Sequence, residues 1–144
     1  MENVADYPRP PRVEPIAKRI EVVLGGVTVA DSTRAVRVLE TTHPPNYYVP
    51  FEDVLEGALL ESAGPTTFCE WKGVASYFDV VADGVLAERA AWTYRVPTQG
   101  YEDLLGRVSF YCAPFDACLV DGERATPEAR RYYGGWVTAD IRAG

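Results

Sequence analysis

Apolar residues recur along this chain in short alternating runs broken by glycine and proline, a pattern of strands rather than of helix faces. Ile20-Glu21-Val22-Val23-Leu24 is followed by Gly25-Gly26 and then by Val27-Thr28-Val29-Ala30. Gly-Gly between two alternating runs signals a two-residue hairpin. That register sets Leu24 opposite Val27 and Val22 opposite Val29, with all four on one face. Arg34 to Thr41 reads as a third strand, with Val36, Val38 and Glu40 on one side and Arg37 and Leu39 on the other. It ends before Pro44-Pro45, and His43 to Pro50 reads as a rigid loop. Pro50 suits the first turn of a short helix over Phe51 to Leu55, where Glu52 and Asp53 favour the N-terminal end. Leu55 to Leu60 fits a continuation of that helix or a strand equally well.

Thr66 to Trp71 reads as a strand. Val74 to Val81 and Val85 to Tyr94 form a long hairpin around Ala82-Asp83-Gly84. A two-residue Asp-Gly turn would set Asp79 opposite Glu88, two like charges. A three-residue loop is therefore expected, with Tyr77 opposite Arg89, Val80 opposite Leu86, and Gly84 at positive φ. Tyr101 to Leu105 fits a helical turn. Arg107 to Tyr111 is a strand with Val108 and Phe110 inward, and Ala117 to Val120 is another, closed by Asp121-Gly122. The end, Tyr132-Tyr133-Gly134-Gly135-Trp136, is aromatic and glycine-rich. About eight short, largely antiparallel strands with one or two helical turns indicate a mostly-β domain, as a sandwich, barrel or folded sheet. Pro8, Pro10, Pro11 and Pro15 make residues 1–15 an extended arm, with regular structure expected after Pro15. Residues 16–138 then form a single domain and 139–144 a tail.

Composition narrows the setting. A chain of 144 residues is about one domain, with 47 % apolar and 24 % charged residues. The net charge of −7 repels phosphate backbones, and no basic run longer than Arg130-Arg131 offsets it, so no nucleic-acid partner is expected. Met1 to Pro11 holds no apolar stretch of signal length, and the three cysteines, Cys69, Cys112 and Cys118, are odd in number. A reducing, cytoplasmic setting is expected. No window approaches ~18 consecutive apolar residues, so no membrane partner is expected either.

Several strings stand in an order and spacing that resemble one family. They are Val38-Leu39-Glu40-Thr41, Pro45-Asn46-Tyr47-Tyr48-Val49-Pro50, and the run from Thr67-Phe68-Cys69-Glu70-Trp71-Lys72-Gly73 to Tyr77. Ala91-Trp92-Thr93-Tyr94, Gly106 to Tyr111, Val120-Asp121-Gly122-Glu123 and Tyr133-Gly134-Gly135-Trp136 continue them. Together they resemble the bacterial domain-of-unknown-function 427 family, over roughly residues 16 to 138. The Cys-x-x-Lys-Gly string followed by Tyr is the most specific part. The resemblance implies a compact, mostly-β domain, a folded sheet of the tent type. The family has also been labelled nucleotidyltransferase-like, and it brings no established catalytic residues.

Candidate chemistry centres on Lys72 and Glu40. Lys72 fits an anion or phosphate ligand, or else a turn lysine laid over Trp71 with its head in solvent. Glu40 shares the buried face of its strand, so it must be paired with an arginine or stand at the mouth of a cavity as an acid or base. Arg37 points the other way and should not be its partner unless a bulge intervenes. His43, the only histidine, reads as an exposed loop residue rather than an acid–base group. The cysteines lack the paired spacing of a structural zinc site, so no metal and no cofactor is expected. Trp71, Tyr77, Trp92 and Tyr94, with Tyr47, Tyr48 and Trp136, are core aromatics or the lining of a cleft. Three functions are compatible with this pattern. The first is a module binding a small polar or nucleotide-like ligand through Tyr48, Lys72, Tyr77, Trp92 and Tyr94. The second is an enzyme using Glu40 and Lys72, although no Asp-x-Asp pair offers magnesium ligands for nucleotidyl transfer. The third is a structural or protein-interaction domain, with a homodimer as one form.

Overall fold

The alternating runs fold almost wholly into strands in the structure, a computed structural model that describes residues 1–130 and 133–142. In chain order they are β1 (Glu2–Asn3), β2 (Arg12–Pro15), β3 (Ile20–Leu24), β4 (Val27–Ser32), β5 (Val36–Glu40), β6 (His43–Pro50), β7 (Leu59–Glu61) and β8 (Thr67–Cys69). β9 (Gly73–Ala82), β10 (Val85–Tyr94), β11 (Arg107–Phe110), β12 (Ala117–Val120), β13 (Glu123–Arg124), β14 (Thr126–Pro127), β15 (Trp136–Val137) and β16 (Ile141–Arg142) follow. Helical structure is limited to 3-10 turns at Val4–Asp6, Phe51–Asp53 and Glu102–Leu104. The mostly-β expectation holds, with more and shorter strands than the eight expected. No helix among the described residues is long and apolar enough to cross a membrane.

An eight-stranded sheet runs β2-β5-β6-β11-β10-β9-β7, with β8 also on β9, and a four-stranded sheet runs β13-β12-β3-β4. The large sheet is open rather than closed into a barrel. One of its faces turns Tyr47, Val49, Phe78, Val80, Val108 and Phe110 into a core shared with Ile20, Val22, Leu24 and Val29 of the small sheet. The opposite face carries Val36, Val38, Tyr48, Ala75, Trp92 and Tyr94, capped by Tyr101 and Leu104. Successive strand residues point to opposite faces, so Tyr47 and Tyr48 serve different clusters.

Four local expectations need correction. His43 to Pro50 is a strand, not a loop. Its pairs with β5 jump from Glu40↔His43 to Val38↔Asn46, so Pro44 and Pro45 both lie opposite Leu39. A bulge asks for no ladder donor at the extra residue, and proline has none to give. The β11 side joins only from Tyr48 onward, past both prolines.

The β9–β10 turn is the two-residue Asp83-Gly84 form, with Val85 opposite Ala82 and Ala87 opposite Val80. Both turn residues have positive φ, 46° and 75°. The Asp79–Glu88 repulsion is avoided by a bulge instead. Glu88, Arg89 and Ala90 share the place opposite Asp79, and pairing resumes at Ala91↔Phe78 and Trp92↔Tyr77. Arg89 adopts φ 48°, and its backbone N–H donates to Asp79 Oδ1 at 2.8 Å. Asp79→Ala should therefore cost about 1.5 kcal/mol by chemical denaturation. A loss within error would mean that the bulge is held by other contacts.

The β3–β4 hairpin keeps its Gly-Gly turn and Leu24↔Val27, but a bulge sets Val22 opposite Ala30 rather than Val29. The N-terminal arm is not merely extended. β2 adds an edge strand to β5, and Val4 and Tyr7 cover Leu39 together with Ile141. Arg37 ties this arm down, pairing with Glu14 at 2.7 Å and Glu2 at 3.0 Å rather than with Glu40.

Candidate functional site

The strand order of the large sheet sets a row of side chains across five strands. Val36, Tyr48, Ser109, Trp92 and Tyr77 are successive cross-strand partners on β5, β6, β11, β10 and β9. Partners in register point to the same face. Ser109 is the small member, and across it Trp92 Nε1 donates to the Tyr48 hydroxyl at 3.1 Å. Tyr94, two residues beyond Trp92, lies 6.4 Å from the Tyr48 ring, and Tyr111 lies 4.7 Å from Trp92. Tyr77 stands at the open end, with its hydroxyl 2.8 Å from Thr67 Oγ1 and the Arg89 guanidinium 4.2 Å over its ring. Burial pushes the phenols of Tyr48 and Tyr94 far above their ordinary range, so both stay neutral.

These rings floor a cleft of about 1570 Å³. Tyr48, Lys72, Tyr77, Trp92 and Tyr94 all line it, and so does Glu40. Tyr47 and Trp136 do not belong there. Tyr47 packs 5.2 Å from Trp136 in the core between the sheets, where Trp136 Nε1 donates to the Phe110 carbonyl at 2.9 Å. Trp71 sits at the rim, in the turn between β8 and β9 rather than in a strand.

Lys72 occupies the same turn. Thr98 N–H donates to its carbonyl at 3.0 Å and fixes the turn. The lysine is only 6 % exposed, so its stem is packed away rather than laid over the surface. Its ammonium lies 5.9 Å from the Tyr94 ring centroid. Among the described residues it has neither a carboxylate nor a hydrogen-bond partner. Glu40, partly buried, also lacks an ion pair among them.

The strand conformation of β6 brings further groups that the loop expectation concealed. His43 is half-buried, its Nδ1 accepting from Arg130 Nη2 at 3.2 Å and lying 3.9 Å from Glu128 Oε1. Tyr133 meets the imidazole edge-on at 4.6 Å. An arginine cannot accept a proton, so Nδ1 is the acceptor and Nε2 carries the hydrogen. Glu128 Oε1 also takes Arg130 Nε at 2.7 Å. Asn46 Oδ1 and Glu128 Oε2 are buried without a donor among the described residues, and both residues line the cleft. The alternation Asn46-Tyr47-Tyr48-Val49 was the available signal for Asn46, which shares a face with Tyr48. No signal in the sequence marks Glu128. Gly134 and Gly135 close this end of the cleft. A Cβ at Gly134 would overlap the Trp92 ring, and one at Gly135 would come 2.6 Å from the Pro44 carbonyl oxygen. Tyr132 lies outside the described residues.

Burial lowers the pKa of His43 below its ordinary 6.5, outweighing the opposite pull of Glu40. The unfolded chain then binds a proton at this residue before the folded one does. The stability contributed by neutral His43 is complete above the unfolded value and is lost as pH falls through the lowered folded value. His43→Asn should flatten the fall of the denaturation midpoint between about pH 7 and 5. An unchanged slope would assign that pH dependence to another group.

Cys69 and Cys112 border the cleft, Cys118 is buried beside Cys112 in the core, and all three are free thiols. Cys112 Sγ donates to the Ala125 carbonyl and Cys118 Sγ to the Cys112 carbonyl, and the neighbouring thiol and burial raise the pKa of Cys118. Among the described residues no three His, Cys, Asp or Glu side chains stand together as metal ligands.

Fold and site define a mostly-β protein whose large sheet carries an aromatic-floored cleft with one buried lysine. The chain belongs to the family described as domain of unknown function DUF427, whose model, labelled NTP_transf_9, matches residues 12–121. The match takes in Glu40, Tyr48, Lys72, Tyr77, Trp92 and Tyr94, and it ends before Glu128 and Arg130. Comparison with curated proteins finds no match.

Proposed function

We propose that this protein is a binding module for a small anionic ligand with a planar group, of which a nucleotide is the model. The observation that carries this reading is Lys72, 6 % exposed and without an ion pair among the described residues, on the lining of an aromatic cleft. A buried cation is costly unless an anion completes it. Bases stack on exposed ring faces without regard to sequence, which suits the partly exposed Trp71, Tyr77 and Tyr111 that lie beside the buried rings. The family label, with its reference to nucleotidyl transfer, points to the same ligand class.

Thermal denaturation of the purified protein with nucleoside mono-, di- and triphosphates tests this reading. A ligand at ~100 times its dissociation constant stabilises by ~2.7 kcal/mol. In a domain of this size that is a shift of several degrees. No shift with any nucleotide would overturn the reading and favour a protein-interaction role. An enzymatic role rests on Glu40, which borders the same cleft without an ion pair among the described residues. Release of pyrophosphate from a nucleoside triphosphate with magnesium, lost in Glu40→Gln, would replace the binding module by that enzyme.

A further inference from the structure

The polar end of the cleft holds groups that a bare anion would leave unsatisfied. Glu128 is 9 % exposed, and Arg130 occupies its Oε1 through Nε at 2.7 Å and Nη2 at 2.6 Å. Its Oε2 is buried with no donor among the described residues, and Asn46 Oδ1 is in the same state. Both residues line the cleft, and so does His43. With Nδ1 engaged by Arg130, the Nε2–H is the only donor left on that imidazole. The polar end therefore offers two unfilled acceptors, together with the imidazole Nε2–H and the Asn46 amide N–H groups as donors. Buried acceptors are rarely left without partners, because leaving one unmade forfeits its hydration with nothing in return.

We infer that this end of the cleft recognises the amino-bearing edge of a heteroaromatic base, an exocyclic NH2 beside a ring nitrogen. The amino hydrogens satisfy Asn46 Oδ1 and Glu128 Oε2, and the ring nitrogen accepts from His43 Nε2. The inference rests on the proposed ligand reading and narrows it to nucleotides with an amino base, such as adenine or cytosine. A keto base offers a carbonyl oxygen in place of the NH2, and that oxygen would face the Glu128 carboxylate, which cannot donate as the Asn46 amide can.

Calorimetric titration with adenosine 5′-monophosphate and with purine riboside 5′-monophosphate, which differ only by the exocyclic NH2, tests it. The intact protein should prefer the amino compound by about tenfold or more. Glu128→Gln and, separately, Asn46→Ala should each shrink that preference while the purine riboside compound binds as before. The melting temperature of each unliganded variant shows that it is folded. Equal affinity of the intact protein for the two nucleotides, with both lost in Lys72→Met, overturns the inference and leaves the anion-binding role standing. A preference that survives both Glu128→Gln and Asn46→Ala also overturns it. Failure of both nucleotides to bind the intact protein overturns the inference and the nucleotide reading together.

Discussion

Lys72→Met should raise the melting temperature of the unliganded protein while abolishing its thermal response to nucleotides. The two effects have one cause. Lys72 is held in place by its backbone, through the Thr98 N–H, and not by any pairing of its ammonium. Its side chain is buried against Tyr94 with no counter-charge among the described residues. Methionine keeps most of the apolar stem and removes the uncompensated charge. The gain in the free protein should be about 1 kcal/mol, or roughly 3 °C for a chain of this length. The loss in the complex should be about a hundredfold in affinity, the usual scale when one partner of a buried charge pair is removed. Stabilised but inactive variants of this kind mark a position kept for binding at the expense of stability. A lowered melting temperature with an intact nucleotide response would make Lys72 a structural residue.

Trp136→Ala should have the largest effect on stability, a loss of about 3–5 kcal/mol out of the ~5–15 kcal/mol usual for a domain. The indole is fully buried, touches the Tyr47 ring and donates to the Phe110 carbonyl. Its removal leaves a cavity between the sheets and an unpaired buried carbonyl. Consequences for the cleft follow along the chain. β15, which begins at Trp136, pairs with β14, and the Gly135 carbonyl accepts from Glu128 N–H at 3.0 Å. Loosening Trp136 therefore releases the segment that presents Glu128. Chemical denaturation checks the loss, and Trp136→Phe, which retains most of the ring, should recover much of it. A loss below about 1 kcal/mol would show that the core closes without this residue.

Much of the local structure could be read from residue order. Gly25-Gly26 and Asp121-Gly122 are turns, and Val108 and Phe110 do point inward. The family match covers most of the strings that suggested it and stops short of Tyr133-Gly134-Gly135-Trp136. Tyr48, Lys72, Tyr77, Trp92 and Tyr94, grouped as ligand-binding candidates from residue type and pattern, border one cleft, whereas the place of Glu40 beside them depended on strand order. The errors share a cause. At Pro44-Pro45 and Glu88–Ala90 local chemistry argued against regular pairing and at Val29 it argued for it, and the chain forms a bulge in each place. A bulge is chosen by the partner strand and by what the two faces must bury, neither of which is local.

Residue order by itself thus determined the strand-rich class, several of the turns and which residues alternate together, because period and turn chemistry act over a few residues. Tertiary structure decided which strands became neighbours. Only the order β5-β6-β11-β10-β9 puts Tyr48, Ser109, Trp92 and Tyr77 in one row. It also decided that Lys72 is buried and uncompensated, and that Asn46 and Glu128 reach the same cleft from far apart in the chain. Long-range pairing and desolvation depend on the whole packed molecule, so no window of sequence contains them.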